Sequence, residues 1–142
     1  MNTHTITELG KLKDLHQHEF VVEGLETPLI GKAFLGDKLD LTSMEVSINK
    51  DSPDTGINFF HSHKMNEEVY IFLGGSGEMM VDNKRFTIKE GTAVKVQTGA
   101  KRAWWNTGNE DLCYIVIQAQ TNGLKQSKLN DAEVFDDKVP WV

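Results

Sequence analysis

Two histidines one residue apart, His61 and His63, precede a short polar turn and two adjacent glutamates, Glu67 and Glu68. On an extended strand, residues two apart point to the same side, so both imidazole rings would face one cavity. Two ring nitrogens and a carboxylate oxygen from the returning strand suit a divalent metal ion. The pattern indicates a metal site, although two histidines and a glutamate near a turn also occur in proteins that bind no metal.

Side-chain alternation along residues 68–73 distinguishes the two glutamates. Tyr70 lies on the same side of the strand as Glu68, so a cavity lined by Tyr70 also receives Glu68. Glu67 would then lie at the turn in solvent. No clear general base accompanies the site, which leaves Tyr70 and Glu67 as the candidate catalytic residues. The predicted metal ligands are His61, His63 and Glu68.

The remaining histidines are weaker candidates. His16 and His18 have the same spacing, but no carboxylate-bearing strand follows them, and we interpret them as a solvated pair. His4 lies near the terminus, where ligation is not expected.

The elements that would position the site are short strands separated by turns. Strand-like runs of three to nine residues recur from about residue 20, with Gly, Pro, Asn and Asp between them and almost no helical periodicity. This predicts an all-β sandwich or barrel. The predicted strands cover residues 20–26, 29–36, 41–49, 57–63, 68–73, 78–81, 86–88, 92–96, 101–106 and 112–118.

Two of these strands, 68–73 and 112–117, are apolar on both sides, which predicts burial of both faces. One face would line the barrel and the other would be covered by a second layer or a second subunit. The polar tail, 121–142, is poorly periodic. We expect a short helical turn at 132–135 and contact between Trp141 and the barrel.

The composition indicates one globular domain. The 142 residues carry a formal net charge of −6, with 39% hydrophobic and 25% charged side chains. No cluster of Lys and Arg is present, which argues against nucleic acid and anionic membranes as partners. The first residues lack an apolar core, so neither a signal peptide nor a membrane anchor is expected. Cys113 is the only cysteine and cannot form an intrachain disulfide, and we expect a cytoplasmic protein.

Two motifs in this order resemble those of the cupin superfamily, in particular small single-domain cupins of the conserved-barrel type. The first is Gly56, His61-x-His63, Glu68 and Gly75, with one residue fewer than usual after Gly56. The second spans residues 91–106 and keeps Gly91, Gly99 and Asn106, with Gln97 in place of a proline and Arg102 in place of a histidine. The resemblance covers about residues 40–118. It implies a double-stranded β-helix, with 1–142 forming one cupin domain, and it points to a homodimer.

Arg102 changes what the resemblance implies for the site, because the histidine usually found there is a fourth metal ligand. A guanidinium stays protonated and offers only donors. Either His61, His63 and Glu68 still bind a metal and Arg102 holds the anionic group of a ligand, or Arg102 pairs with Glu68 and no metal binds. Trp104 shares its side with Arg102, so the predicted ligand-binding residues are Arg102 and Trp104, with core packing as the alternative for the tryptophan.

The predicted function is a metal-dependent cupin enzyme acting on a small polar or anionic metabolite inside the barrel. The resemblance allows isomerase, epimerase or dioxygenase chemistry, with Fe, Mn, Ni or Zn as the metal. The alternative is a cupin that binds a carboxylate or a sugar without metal and without turnover. A structural role through dimerisation is a third hypothesis, based only on the doubly apolar strands.

Overall fold

The computed structural model describes residues 3–142. Its helices are a six-residue 3-10 helix, Leu12–Gln17, and a single turn, α1 (Gly36–Leu39). No helix in this described part of the chain has the length and apolar character needed to cross a membrane. The strands are β1 (Glu19–Phe20), β2 (Leu29–Ile30), β3 (Lys32–Phe34), β4 (Glu45–Asp51), β5 (Asn66–Gly74), β6 (Ser76–Val81), β7 (Lys84–Lys89), β8 (Ala93–Val96), β9 (Arg102–Trp105) and β10 (Leu112–Gln120).

The strands form two main antiparallel sheets. One has five strands in the order β3-β4-β10-β5-β8, and the other has three in the order β7-β6-β9. Strands β1 and β2 form a small separate ribbon. The predicted all-β architecture is confirmed, and it is the double-stranded β-helix expected for a cupin.

The two doubly apolar strands have one buried and one partly exposed side. On β5, Glu68, Tyr70 and Phe72 are buried, while residues 69 and 71 are only half-buried. The same alternation on β10 buries residues 112, 114 and 116. The buried sides join β6, β7, β8 and β9 in one core cluster. The predicted inward direction of Glu68 and Tyr70 is therefore confirmed.

Strand β4 has polar side chains on its buried side. Ser47 and Asn49 are buried, whereas Val46 and Ile48 lie on the opposite, half-buried side. This is the reverse of the usual apolar-in pattern. A polar stripe therefore lies inside the barrel, where buried polar groups need hydrogen-bond partners.

Several predicted local elements differ from the structure. Of the predicted strand 20–26 only Phe20 belongs to a strand, and residues 57–63 form no regular strand but one isolated bridge, at His61. The helical turn predicted at 132–135 is absent, with only a hydrogen-bonded turn just before it. Trp141 is 80% exposed, so its predicted contact with the barrel is wrong. The tail has no regular alternation of apolar residues that could bind it to a sheet face.

The predicted strand 29–36 is divided at Gly31. This glycine has a φ of 75°, and a Cβ there would collide with the carbonyl oxygen of Lys50. Its N–H donates to the His18 carbonyl at 2.8 Å, and its own carbonyl accepts from the Lys50 N–H at 2.8 Å. Glycine tolerates this backbone conformation, which L side chains rarely adopt. The bend ends β2 and starts β3 at Lys32.

Candidate metal centre and ligand cavity

The two histidines lie on an extended segment that pairs with β9. His61 and Arg102 exchange backbone hydrogen bonds of 3.2 and 3.0 Å, and the Ile57 N–H donates to the Trp104 carbonyl at 2.9 Å. Gly56 begins the segment, and a Cβ at this position would collide with the backbone of Trp104. The motif glycine therefore permits the close approach that carries His61 and His63 to the cavity.

His61, His63 and Glu68 form one cluster. Each offers a ligand atom, and these atoms all lie within 4.8 Å of one another. His63 Nε2 is 3.4 Å from Glu68 Oε2, and the two imidazole rings are 5.4 Å apart and nearly perpendicular. The three residues predicted as metal ligands are thus brought together by the fold.

The donor set of this cluster fits a divalent metal ion. His61 Nδ1 is buried and has no hydrogen-bond partner among residues 3–142, which is uncommon for a buried ring nitrogen. Burial, followed by the positive charge of Arg102, lowers the pKa of His61 to about 4, so the ring is neutral at pH 7. A neutral imidazole offers a lone pair to a metal, and a carboxylate oxygen complements it.

Arg102 is fully buried and points to Glu68 instead of into the cavity. Its Nη2 donates to Glu68 Oε1 at 2.6 Å, and its Nε lies 3.1 Å from the same oxygen. Its Nη1 donates to the Ala100 carbonyl at 2.7 Å. From the sequence, an ion pair with Glu68 was the arrangement expected without a metal; in the structure the pair engages Oε1 alone and leaves Oε2 on the side of His63. The other arrangement, in which Arg102 holds a ligand anion, does not match this geometry because the guanidinium does not line the cavity.

Tyr70 completes the environment of the glutamate. Its hydroxyl donates to Glu68 Oε1 at 2.7 Å. Burial, together with the neighbouring Glu68 carboxylate, raises the pKa of Tyr70 above its ordinary value, so the phenol stays protonated. Arg102 and Tyr70 therefore both bind Oε1 and leave Oε2 directed to His63. Tyr70 lines the cavity as predicted, with its proton engaged by Glu68.

Of the two remaining predicted site residues, Trp104 lines the cavity and Glu67 does not. Trp104 is buried, lines the cavity and donates from Nε1 to the Tyr114 hydroxyl at 2.8 Å. Glu67 does not reach the cavity, because its carboxylate lies 3.3 Å from the ammonium of Lys95 on β8. The structure therefore does not place Glu67 where it could serve as a catalytic base in this cavity.

The cluster opens into a cavity of about 310 Å³ inside the barrel. This volume is at the lower end of the range for small-molecule sites. By residue type the lining is mixed, but almost all of the surface that faces the cavity is apolar, and only a few polar atoms reach it. The lining residues are Phe20, Val22, Leu29, Lys32, Phe34, Glu45, Ser47, Ile57, Phe59, His61, His63, Glu68, Tyr70, Trp104, Val116 and Gln118.

Lys32 is the cavity residue that sequence reasoning missed. Its Nζ donates to Asn49 Oδ1 at 2.7 Å and lies 3.4 Å from Ser47 Oγ. Burial lowers the pKa of Lys32 to about 8, partly offset by the carboxylates of Asp51, Glu68 and Glu45. The available sequence signal was a lysine within an apolar run; the next strand along the chain, β4, alternates polar and apolar residues.

Comparison with known proteins identifies the family. The sequence profile of the cupin domain family matches residues 46–118, which is just over half of the chain. The chain belongs to the cupin family. The matched region contains both cupin motifs, including the three residues of the cluster and Arg102.

Two solved structures and one sequence relative are similar to this cupin. A cupin protein from Bacteroides fragilis has 25% identity and a TM-score of 0.75, with 95% of this chain and 99% of that chain covered. A predicted oxalate decarboxylase from Thermotoga maritima has 27% identity and a TM-score of 0.51, with 53% and 64% covered. An uncharacterized protein of Methanocaldococcus jannaschii is 35% identical over 52 residues, so the match spans 37% of this chain and 42% of the relative.

Proposed function

We propose that this cupin binds one divalent metal ion through His61, His63 and Glu68 and acts as an enzyme on a small anionic metabolite held in the barrel. The observation that carries the proposal is the convergence of three ligand atoms within 4.8 Å at the cavity wall. The His61 ring supports it, because its buried Nδ1 has no hydrogen-bond partner among residues 3–142 and the neutral ring keeps a lone pair for a cation.

The surrounding residues would prepare this site for a metal. Arg102 and Tyr70 hold Oε1 of Glu68 by hydrogen bonds of 2.6 and 2.7 Å, which fixes the carboxylate and directs Oε2 to the histidines. Such outer partners orient a ligand and reduce the freedom it loses on binding. A bound divalent ion would supply Lewis-acid polarisation of a substrate oxygen. The apolar part of the cavity wall would limit the access of water to that oxygen.

A structural relative supports the substrate class. The Thermotoga maritima protein is a predicted oxalate decarboxylase, and oxalate is a small dicarboxylate. This chain covers 64% of that protein, so its activity is a guide to the chemical class only. A small organic acid also suits a cavity of about 310 Å³.

Metal content tests the proposal. We expect the protein, purified without added metal or after loading with Fe, Mn, Ni or Zn and removal of excess, to retain about one ion per chain. His61→Ala should lose most of it, whereas His16→Ala should retain it, because His16 is exposed and outside the cluster. Mass spectrometry of the metals measures both. Equal retention in the two variants, or no retention by the parent, would contradict the metal site.

A second candidate function, ligand binding without turnover, has its own supporting observation. Both carboxylates that line the cavity already accept hydrogen bonds: Glu45 from the N–H groups of Gly36 and Val46, and Glu68 from Arg102 and Tyr70. Each carboxylate is held by these bonds at Oε1, so neither can turn freely toward a substrate proton. Metal-loaded protein incubated with small organic acids, followed by NMR, separates the two functions. Conversion that His61→Ala abolishes supports the enzyme, and binding without conversion supports the second candidate.

The same proposal includes a homodimer formed through the outer face of the five-stranded sheet. Three adjacent strands, β4, β10 and β5, bring apolar residues together there: Ile115 lies opposite both Ile48 and Ile71, and Ile117 lies opposite both Val46 and Val69. These side chains are only half-buried in one chain. Light scattering should give about twice the chain mass of 16.0 kDa for the parent and the mass of one chain for Ile115→Glu. A monomeric parent would contradict this arrangement.

A further inference from the structure

Lys32 occupies a prepared position inside the barrel. It lies opposite Asn49 in the pairing of β3 with β4, so both side chains point to the same, inner side. The amide Nδ2 of Asn49 donates to the Ser47 carbonyl, the Ser47 hydroxyl and the Tyr114 carbonyl at 3.1, 3.0 and 3.4 Å. These bonds fix the amide with its oxygen facing Lys32. The ammonium is therefore held by a buried and oriented acceptor.

The partners of this ammonium are neutral. Within residues 3–142, no carboxylate oxygen lies within 4.0 Å of Lys32 Nζ, and the ion pairs of the structure involve other cations. Desolvating a charge that has only neutral partners costs free energy, and the lowered pKa of Lys32 reflects that cost. At pH 7 the group is still mostly protonated, since its pKa of about 8 lies above that pH. An anion placed beside it would compensate the charge.

We propose that Lys32, oriented by Asn49 and Ser47, binds the carboxylate or phosphate group of the ligand. This inference names the ligand class of the proposed function and depends on that function for the position of the ligand's other end, at His61, His63 and Glu68. An ammonium has three donors, and Asn49 and Ser47 engage two of them. The third is available to an anion in the cavity.

The other cation beside the cavity, Arg102, is not available to bind a ligand anion. Its hydrogen bonds go to Glu68, Tyr70 and Ala100. Lys32 lines the cavity, and Arg102 does not. The centroid of the Phe34 ring lies 5.0 Å from Lys32 Nζ, so the ring makes a cation–π contact and shields one side of the ammonium from water. A charge in a partly dehydrated position interacts strongly with an incoming anion.

Binding of simple anions to chelator-treated protein tests the proposal without metal. The probes are malonate, inorganic phosphate and uncharged malonamide, measured by isothermal titration calorimetry. We expect the parent to bind malonate, phosphate or both, and to bind malonamide much more weakly. Lys32→Met should weaken anion binding about 10- to 100-fold, the range for one charged hydrogen bond. Binding of malonate alone or phosphate alone would identify the anion as a carboxylate or a phosphate.

Two further variants keep the result interpretable. Lys32→Gln retains a polar head for Asn49 without the charge and should lose anion binding like Lys32→Met, whatever the stability of the latter. Lys95→Met removes an exposed lysine outside the cavity and should bind anions like the parent. Equal anion affinity in the parent and Lys32→Gln would overturn the proposal. So would a parent that binds none of the anions, or one that binds malonamide as tightly as malonate.

Metal content of the same proteins separates this inference from the proposed function. Lys32→Gln should retain metal like the parent, because Lys32 is not among the clustered ligands. Lys32-dependent anion binding in a protein that retains no metal would leave the anion site standing and remove the metal site. If the protein retains metal normally but binds anions independently of Lys32, the metal site stands and the anion site at Lys32 is ruled out.

Discussion

Two cations inside this barrel, the fully buried Arg102 and the half-buried Lys32, have opposite surroundings. Arg102 directs its hydrogen bonds to a carboxylate, a phenol and a carbonyl, and it is sealed from the cavity. Lys32 contacts only neutral groups, namely the Asn49 amide, the Ser47 hydroxyl and the Phe34 ring, and it lines the cavity. A cation that has a carboxylate as counter-charge stabilises the fold, whereas a cation without a counter-charge can still bind an anionic ligand. Arg102 would therefore position Glu68, and Lys32 would recognise an anion.

The largest expected effect comes from removing the paired cation. Arg102→Ala leaves Glu68 buried without its counter-charge, which should lower the free energy of unfolding by about 3 to 5 kcal/mol. Arg85→Ala is a matched control, because Arg85 pairs with Glu78 at an exposed position and its removal should change stability little. Urea unfolding measures both. A similar, small change in both variants would mean that Glu68 finds other partners and that the Arg102 pair is not structural.

Removing the incompletely paired cation should act in the opposite direction. The pKa of Lys32 falls from 10.5 to about 8 in the fold, so the charged form is less favourable there than in the unfolded chain. Lys32→Met removes this cost and should stabilise the protein at pH 7 by up to about 3 kcal/mol. Thermal unfolding without ligand measures the change. A marked loss of stability would show that the bonds to Asn49 and Ser47 outweigh the cost of the charge, and the comparison with Arg102 would lose its basis.

The smallest expected effect is a pH dependence of malonate binding. The protonated form of Lys32 binds the anion, so affinity should be nearly constant below its pKa of about 8 and fall above it, by about tenfold per pH unit. The charged groups facing Lys32 are Asp51 and Glu45 from β4 and Glu68 from β5, and each would raise its pKa. Titration calorimetry from neutral to alkaline pH measures the slope. Affinity that is unchanged across this range would contradict recognition by Lys32.

The all-β architecture and the clustered residues could be predicted from strand alternation and turn spacing, whereas the double-stranded β-helix was implied by the two motifs that resemble those of cupins. Glu68 and Tyr70 share the buried side of β5, as the spacing predicted. His61 and His63 reach one cavity although their segment is not a regular strand, because hydrogen bonds to β9 keep it extended. The family match and the solved cupin structures confirm the barrel.

The direction of individual charged side chains could not be predicted in the same way. Alternation along residues 101–106 predicted that Arg102 points inward and left open whether it binds a ligand anion or Glu68; the structure shows the bond to Glu68. Lys32 was missed because burial of a lysine depends on acceptors supplied by a neighbouring strand, Ser47 and Asn49, and on the bend at Gly31. Such long-range pairings leave only a weak local pattern, which here is a lysine within an apolar run. The exposed Trp141 shows the converse error, since a large apolar residue need not find a partner within its own chain.

The most direct test of the metal site compares the two adjacent glutamates. Glu68 offers a carboxylate oxygen to the histidines inside the cavity, and Glu67 pairs with Lys95 outside it. After identical metal loading and removal of excess, Glu68→Gln should lose the bound ion while Glu67→Gln retains about one per chain. Elemental mass spectrometry of the two proteins gives the answer. Equal metal loss, or full retention by Glu68→Gln, would contradict a metal site formed by His61, His63 and Glu68.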